Sequence, residues 1–142
     1  MGNQRPQVTV PVLLQLIEPA DTEMAISATF RYDPNDPYAV EIVFDENSSG
    51  GNPISWKLAR DLLVTALNEP AGLGDVRLWP LNSSGDETIA LALSSPEGRA
   101  LFGIPRHRLV YFLRRSFGVV PRGREGDYLD IDTTVTRLLN GR

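Results

Sequence analysis

The 142-residue chain has no cysteine, one histidine and one lysine. The absence of cysteine excludes disulfides, thiolate nucleophiles and cysteine-ligated zinc sites, and it fits a reducing cytoplasm. No secretory signal or membrane span is expected, because Pro11 and Gln15 interrupt the most apolar run near the start, Val8 to Ile17. The length predicts one domain whose hydrophobic core is large enough to fold without disulfides or other crosslinks.

The chain also lacks the residue combinations on which enzymes depend. Its single histidine, His107, lies between Arg106 and Arg108 and has no serine at a spacing typical of a catalytic pair, so a surface position is favoured. Gly72-Leu73-Gly74 lacks the third glycine and the preceding strand of a dinucleotide-binding fingerprint, which makes it a predicted turn. We therefore expect no catalytic residue, no cofactor and no metal site.

Charge is unevenly distributed along the chain, whose net charge is −4. Residues 99–142 contain nine arginines against four acidic residues, whereas residues 1–98 contain five basic residues against fourteen acidic ones. This asymmetry either steers an acidic partner toward one surface or pairs the two parts of the domain internally. Thirteen of the fourteen cations are arginine, which suits planar contacts with carboxylates better than a lysine-rich phosphate-binding field.

Alternation of apolar and polar residues predicts strands along most of the chain. Val8 to Ile17 carries apolar residues on both faces, so both faces need cover. In Thr88 to Ser94 the face opposite the core carries Ala90 and Ala92, small residues that let another element or subunit approach closely. The other predicted strands are Met24 to Arg31, Tyr38 to Asp45, Ile54 to Trp56, Asp75 to Leu81 and Arg99 to Ile104.

Two proline-containing segments each allow two interpretations. Asp33 to Pro37 predicts a tight turn, because proline restricts the residue before it and aspartate bonds nearby amides. A cation site at Asp33 and Asp36 is the weaker alternative, since two carboxylates are not a full ligand set. Ser95 to Gly98 fits either a helix start or a β-turn, and the hairpin is favoured because Arg99 to Ile104 alternates.

A central helix is predicted directly after the Ile54 to Trp56 strand, with one apolar stripe at 3.6-residue spacing. The stripe consists of Leu58, Ala59, Leu62, Leu63, Ala66 and Leu67. The opposite, exposed side consists of Lys57, Arg60, Asp61, Thr65 and Asn68.

Two more helices follow. The second opens at Pro105 and continues to Phe117, and Asp132 caps a last short helix that carries Val135, Leu138 and Leu139. The resulting order of strand-rich segment, helix, strand-rich segment and helix predicts an α+β domain, in which helices pack on a strongly bent antiparallel sheet.

The second helix presents a basic outward face, which is the candidate partner-binding site. An acidic protein is one candidate partner, and single-stranded nucleic acid is the alternative, because cations and an aromatic ring share the helix. The net negative charge and the absence of a row of stacking aromatics on the predicted sheet favour a protein. The candidate residues are Arg106, Arg108, Tyr111, Arg114 and Arg115.

Several short motifs follow one another in a specific order. They are Arg31-Tyr32-Asp33, Asp36-Pro37-Tyr38-Ala39-Val40, Ala59-Arg60-Asp61-Leu62-Leu63, Gly74-Asp75-Val76 with Trp79-Pro80, and Leu93-Ser94-Ser95-Pro96-Glu97-Gly98. In this order and at these spacings they resemble the SsgA-like proteins, which control sporulation-linked cell division in filamentous actinobacteria. The resemblance covers residues 24–140, and within the family the chain is most similar to the SsgB branch.

The resemblance implies a single SsgA-like domain over residues 8–140, preceded by a loose leader of residues 1–7. It also implies a non-enzymatic adaptor, cytoplasmic and located at the septum, that recruits the tubulin-like GTPase FtsZ to future septum sites and promotes Z-ring assembly. Other SsgA-like or membrane-associated division proteins are implied partners. The implied assembly is a homotrimer with a fold similar to Whirly-type proteins, which bind single-stranded nucleic acid, so nucleic-acid binding stays the alternative.

Overall fold

The computed structural model describes residues 6–19, 24–45, 54–83 and 86–129. Within these ranges the chain forms eight strands, two α-helices and a short 3-10 helix. They are β1 (Val8–Glu18), β2 (Met24–Tyr32), β3 (Ala39–Phe44), β4 (Ile54–Ala59), α1 (Arg60–Ala66), β5 (Ala71–Leu73), β6 (Val76–Ser83), β7 (Asp86–Ser95), β8 (Gly98–Pro105), α2 (Arg106–Val119) and the 3-10 helix Glu125–Tyr128. Neither α-helix of these ranges has the length and apolar character needed to cross a lipid bilayer.

All eight strands belong to one sheet in the order β4-β3-β2-β1-β8-β7-β6-β5. Each half of the sheet is an antiparallel meander in which strands adjacent in sequence pair with each other. The two halves join where β1 pairs with β8, with Gln15 opposite Gly103. The predicted α+β class with an antiparallel sheet is therefore confirmed.

The sheet is strongly curled, because side chains of strands that are distant in its order meet across one face. The ring centroids of Phe44 on β3 and Phe102 on β8 are 5.1 Å apart. Three strand spacings in a flat sheet would separate such residues by about 14 Å. Ile54 on β4 and Leu93 on β7 likewise line one cleft. The bend that the element order predicts is thus present, and its concave face holds the core.

Both helices pack on this concave face. Phe112 of α2 meets Phe30 of β2 edge-on, with centroids 5.6 Å apart, and Leu63 and Ala66 of α1 are fully buried. Burial of each large apolar side chain contributes about 1.5–3 kcal/mol. The strands supply the rest of the core through inward residues such as Val10, Leu14, Ile42, Leu78, Ile89 and Ile104.

The central helix is shorter than its predicted apolar stripe. Leu58 and Ala59 belong to β4 and pair with β3, so the strand extends past Trp56 and α1 begins only at Arg60. A seven-residue helix has little stability of its own. The ladder of hydrogen bonds to β3 therefore decides the conformation of the residues that suit either element.

The predicted exposed side of that helix is confirmed for Lys57, Asp61 and Asn68, whereas Thr65 is half-buried and the prediction is wrong for Arg60. Only 1% of Arg60 is exposed to solvent. The residue opens α1 next to the end of α2 and the 3-10 helix, where its guanidinium meets a carboxylate and two aromatic rings. Those tertiary partners remove it from water.

Both predicted turns are confirmed. The Asp36 amide donates to the Asp33 carbonyl at 2.8 Å, and the Asp33 carboxylate accepts from the Asn35 amide at 2.9 Å. Within the hairpin between β7 and β8, Ser95 pairs with Gly98, whose φ of +149° suits glycine. The Asp33 carboxylate thus stabilises the turn, and the Asp36 carboxylate forms an ion pair with Lys57.

Other predictions fall partly or wholly outside the described residues. The last helix, with Asp132, Val135, Leu138 and Leu139, lies outside them, as do residues 1–5 of the leader. The domain limits of 8 and 140 therefore stay predictions. Of the predicted Gly72-Leu73-Gly74 turn, Gly72 and Leu73 form part of the short strand β5, and Gly74 lies in the turn that follows with φ +62°.

Candidate functional site

The predicted partner-binding residues lie outside the buried side of α2, with Tyr111, Arg114 and Arg115 exposed and Arg106 and Arg108 half-buried. The opposite side of the helix is buried, which fixes its rotation and leaves the basic positions outward. We call this surface the arginine–tyrosine face, and it consists of Arg106, Arg108, Tyr111, Arg114 and Arg115. His107 is exposed on the same helix, as predicted.

Two of these arginines are held by the sheet. Arg108 Nη2 donates to the Pro11 carbonyl of β1 at 2.8 Å, and Arg106 Nε lies 3.7 Å from a carboxylate oxygen of Glu87 on β7. Both side chains therefore help to fix α2 on the sheet. A partner would gain little from them without disturbing that contact.

Tyr111 stands at the centre of the face with 47% of its surface exposed. The guanidinium carbon of Arg108 lies 5.3 Å from its ring centroid, and that of Arg115 lies 5.8 Å from the same point. Both distances fall within the range of cation–π attraction. The ring is thus already engaged by two cations, which weakens it as a platform for a stacked base.

Arg114 and Arg115 are the cations most available to a partner. Both are exposed, and neither has an ion pair within the described part of the chain. They lie side by side on the last two turns of α2. The sequence pattern located the basic face, whereas only the packing distinguishes its free arginines from its anchored ones.

The uneven charge of the chain is used in part for internal pairing. Arg106 and Arg122, from the basic third, pair with Glu87 and Asp61 from the acidic part, at 3.7 and 3.3 Å. Arg114 has no such pair among the described residues. Internal pairing therefore uses part of the basic charge, and Arg114 and Arg115 on α2 remain exposed to solvent.

Sequence reasoning missed a buried ionic site around Arg60. Its Nη2 donates to Glu125 Oε2 at 2.9 Å, and its Nη1 donates to Ser116 Oγ at 3.3 Å. The guanidinium carbon lies 4.6 Å from the ring centroid of Tyr32 and 4.4 Å from that of Phe117. We call these five residues the Arg60 clasp. Only a planar cation could both stack on the rings and bond the carboxylate.

The clasp connects α1, α2 and the 3-10 helix. The Arg60 guanidinium holds the pKa of the Glu125 carboxyl below its usual range, and the Gly123 amide assists by donating to it at 2.9 Å. Burial raises the pKa of Tyr32 to about 12, and its hydroxyl donates to the Pro37 carbonyl. Arg60 Nε is buried without a hydrogen-bond partner among the described residues. The clasp is a structural site, since every other polar group in it is occupied by a neighbour.

Comparisons with known proteins place the chain in a family. Residues 26–125 match the family described as Streptomyces sporulation and cell division protein, SsgA. The chain belongs to the SsgA family. It is 55% identical over 135 residues to the sporulation-specific cell division protein SsgB of Salinispora tropica, covering 95% of this chain and 94% of that protein. SsgB of Streptomyces coelicolor is 39% identical to this chain, and the match covers 93% of this chain and 95% of that protein.

Solved SsgA-family structures have the same fold. The SsgA-like sporulation-specific cell division protein of Thermobifida fusca superposes with a TM-score of 0.83 at 36% identity, covering 96% of this chain and 98% of that one. A second structure was reported with the finding that mutations in SsgB correlate to longitudinal cell division during sporulation of Streptomyces coelicolor. It superposes with a TM-score of 0.82 at 38% identity, covering 90% of this chain and 99% of that one. The expected family and its SsgB branch are confirmed.

Proposed function

We propose that this protein is a non-enzymatic adaptor in sporulation-specific septation, which recruits FtsZ to future septum sites and promotes Z-ring assembly there. One observation carries the proposal: 55% identity, over 95% of this chain, to a relative named as a sporulation-specific cell division protein. The association of SsgB mutations with longitudinal cell division in Streptomyces coelicolor supports a role in placing the septum. The protein acts in the cytoplasm at the septum, with other SsgA-like or membrane-associated division proteins as further partners.

The arginine–tyrosine face is the surface that we assign to FtsZ. Its exposed arginines can bond carboxylates in a bidentate manner, and Tyr111 beside them supplies apolar area. Arginine and tyrosine are enriched among the residues that dominate binding energy at interfaces. Arg114 and Arg115 carry the electrostatic part of this contact, because Arg106 and Arg108 are bound to the sheet.

Co-sedimentation with assembled FtsZ tests the proposal. The double variant Arg114→Glu with Arg115→Glu should sediment severalfold less with FtsZ than the parent, and the parent's binding should weaken as salt rises. The matched control is Arg77→Glu with Arg99→Glu, which makes the same charge change at two exposed arginines of the sheet. The control should bind as the parent does.

Two results would count against the assignment. Equal loss in both double variants would show that only net charge matters, and no loss in either would remove α2 from the interface. Single-stranded DNA serves as a parallel bait at the same salt. If the parent binds DNA and shows no affinity for FtsZ, the nucleic-acid alternative replaces the adaptor.

A further inference from the structure

Residues 121–129, which follow α2 and include the 3-10 helix, lie on the domain mainly through side chains. We call this segment the strap. Glu125 is its only buried residue, and Tyr128 is half-buried against the core. The amides of Arg124 and Asp127 donate to the carbonyls three residues before them, both at 3.0 Å. These bonds shape the strap without tying it to a neighbouring element.

Two ion pairs connect the strap to α1. Glu125 Oε2 lies 2.9 Å from Arg60 Nη2 inside the Arg60 clasp, and Arg122 Nε lies 3.3 Å from Asp61 Oδ1. Both side chains of the second pair are more exposed than buried, so water screens their attraction and the pair contributes little. One buried carboxylate therefore makes most of the polar attachment between the strap and the domain.

The groups that bind this carboxylate belong to the domain and not to the strap. Arg60 begins α1, and its amide donates to the Tyr38 carbonyl at 2.8 Å. Tyr32 of β2 is fully buried, and its hydroxyl donates to the Pro37 carbonyl at 2.8 Å. Phe117 is part of α2. None of these anchors involves the strap, so the guanidinium and the two rings beside it form a site that is built without Glu125.

Glu125 leaves part of this site unused. It accepts from Nη2 of Arg60 through one oxygen, and its other oxygen accepts from the Gly123 amide of the strap at 2.9 Å. Arg60 Nε is buried and has no hydrogen-bond partner in the described part of the chain. A guanidinium binds a carboxylate most strongly through two parallel N–H groups. A carboxylate that is not held by Gly123 can therefore make a bond that Glu125 does not.

We propose that Arg60, Tyr32 and Phe117 form a carboxylate-binding site for an acidic peptide segment of a protein partner, and that Glu125 occupies this site as an internal ligand until the strap opens. Within the described residues Arg60 has no ion pair besides that with Glu125, so its charge selects an acidic group. The pair of Arg122 with Asp61 indicates what else fits, namely a basic residue three positions before the acidic one.

Hydrogen exchange tests whether the strap opens by itself. Glu125→Gln leaves Arg60 buried without a counter-charge while the strap is closed, and opening lets water reach the guanidinium. The amides of the strap should therefore exchange about tenfold faster or more in this variant, while those of α2 around Phe112 stay unchanged. Asp127→Asn makes the same charge change at an exposed position of the strap and should exchange as the parent does. Unchanged exchange in the strap, or equal acceleration in α2, would overturn the proposal.

A synthetic peptide of residues 121–129 tests the site itself. Added to the full chain with Glu125→Gln, it should shift the Arg60 Nε–H signal in NMR spectra. Saturation should need severalfold less peptide than with the parent, whose own Glu125 competes at high effective concentration. The matched control is the same peptide with Glu125→Gln, which should shift the signal little. Equal shifts with both peptides would exclude a carboxylate site, equal affinity for parent and variant would exclude Glu125 as its internal ligand, and no shift with either peptide would overturn the proposal.

Discussion

A single buried arginine joins the 3-10 helix Glu125–Tyr128 to α1. Moving a guanidinium out of water costs several kcal/mol unless a partner charge and further bonds compensate for it. For Arg60, Glu125 supplies the partner charge, Ser116 accepts a further hydrogen bond, and two aromatic rings stack on the guanidinium. These partners lie up to 65 residues away in sequence, so no local sequence pattern predicts them. Polarity alone therefore placed Arg60 on the exposed side.

We expect Glu125→Gln to lower the free energy of unfolding by about 1.5–3 kcal/mol, the range for a hydrogen bond to a charged group. The pKa of Glu125 is lowered in the folded protein, so its contribution is fully present above the ordinary glutamate value of about 4.3. It is lost as pH falls through the lowered value. The difference in Tm between parent and variant should therefore shrink on acidification below about pH 4.

The control for that experiment is Asp127→Asn, which breaks the exposed pair with Arg124. Exposed pairs contribute about 0–1 kcal/mol, so its Tm should stay near that of the parent. A Glu125→Gln effect that is the same at pH 3 and pH 7 would assign the loss to packing rather than to the charge.

At the scale of elements, period-two alternation located most of the strands because one face of the sheet is buried. Ile89, Leu91 and Leu93 of β7 are core residues, as their spacing predicts. Two elements escaped this reasoning for physical reasons. β5 has only three residues, one of them glycine, and the residues at the end of β4 suit a helix as well as a strand until β3 pairs with them.

The packing of α1 predicts different losses of stability when two adjacent leucines are replaced. Leu63 is fully buried, so Leu63→Ala should cost about 2–5 kcal/mol, a large part of the stability of an ordinary domain. Leu62 is half-buried, and Leu62→Ala should cost distinctly less. Urea unfolding monitored by circular dichroism provides both values. Equal losses, or a larger loss for Leu62→Ala, would contradict the observed rotation of α1.

At the scale of the whole molecule, the curled sheet gives its two faces different roles. The concave face is filled by the two helices, whereas in the described residues the convex face has no layer over it. The basic face of α2 was predictable because its period and composition are local. The sequence could not predict which arginines are free, because the residues that anchor two of them lie on strands distant in sequence. Pro11 on β1 holds Arg108, and Glu87 on β7 holds Arg106.

We expect the protein to form a homotrimer through the convex face around β1. Leu13 is 60% exposed there, and Ile17 is half-buried on the same face. Ala92 on β7 is half-buried, whereas Ala90, the other small residue of that predicted face, is already fully buried within the chain. Multi-angle light scattering at micromolar concentrations should give three times the chain mass. Leu13→Asp should dissociate the trimer and leave the circular dichroism spectrum unchanged, because a carboxylate at an interface loses its hydration without gaining a partner. Asn68→Asp, an exposed position after α1 and away from β1, is the control and should remain a trimer. A parent that is monomeric at every concentration would refute the assembly.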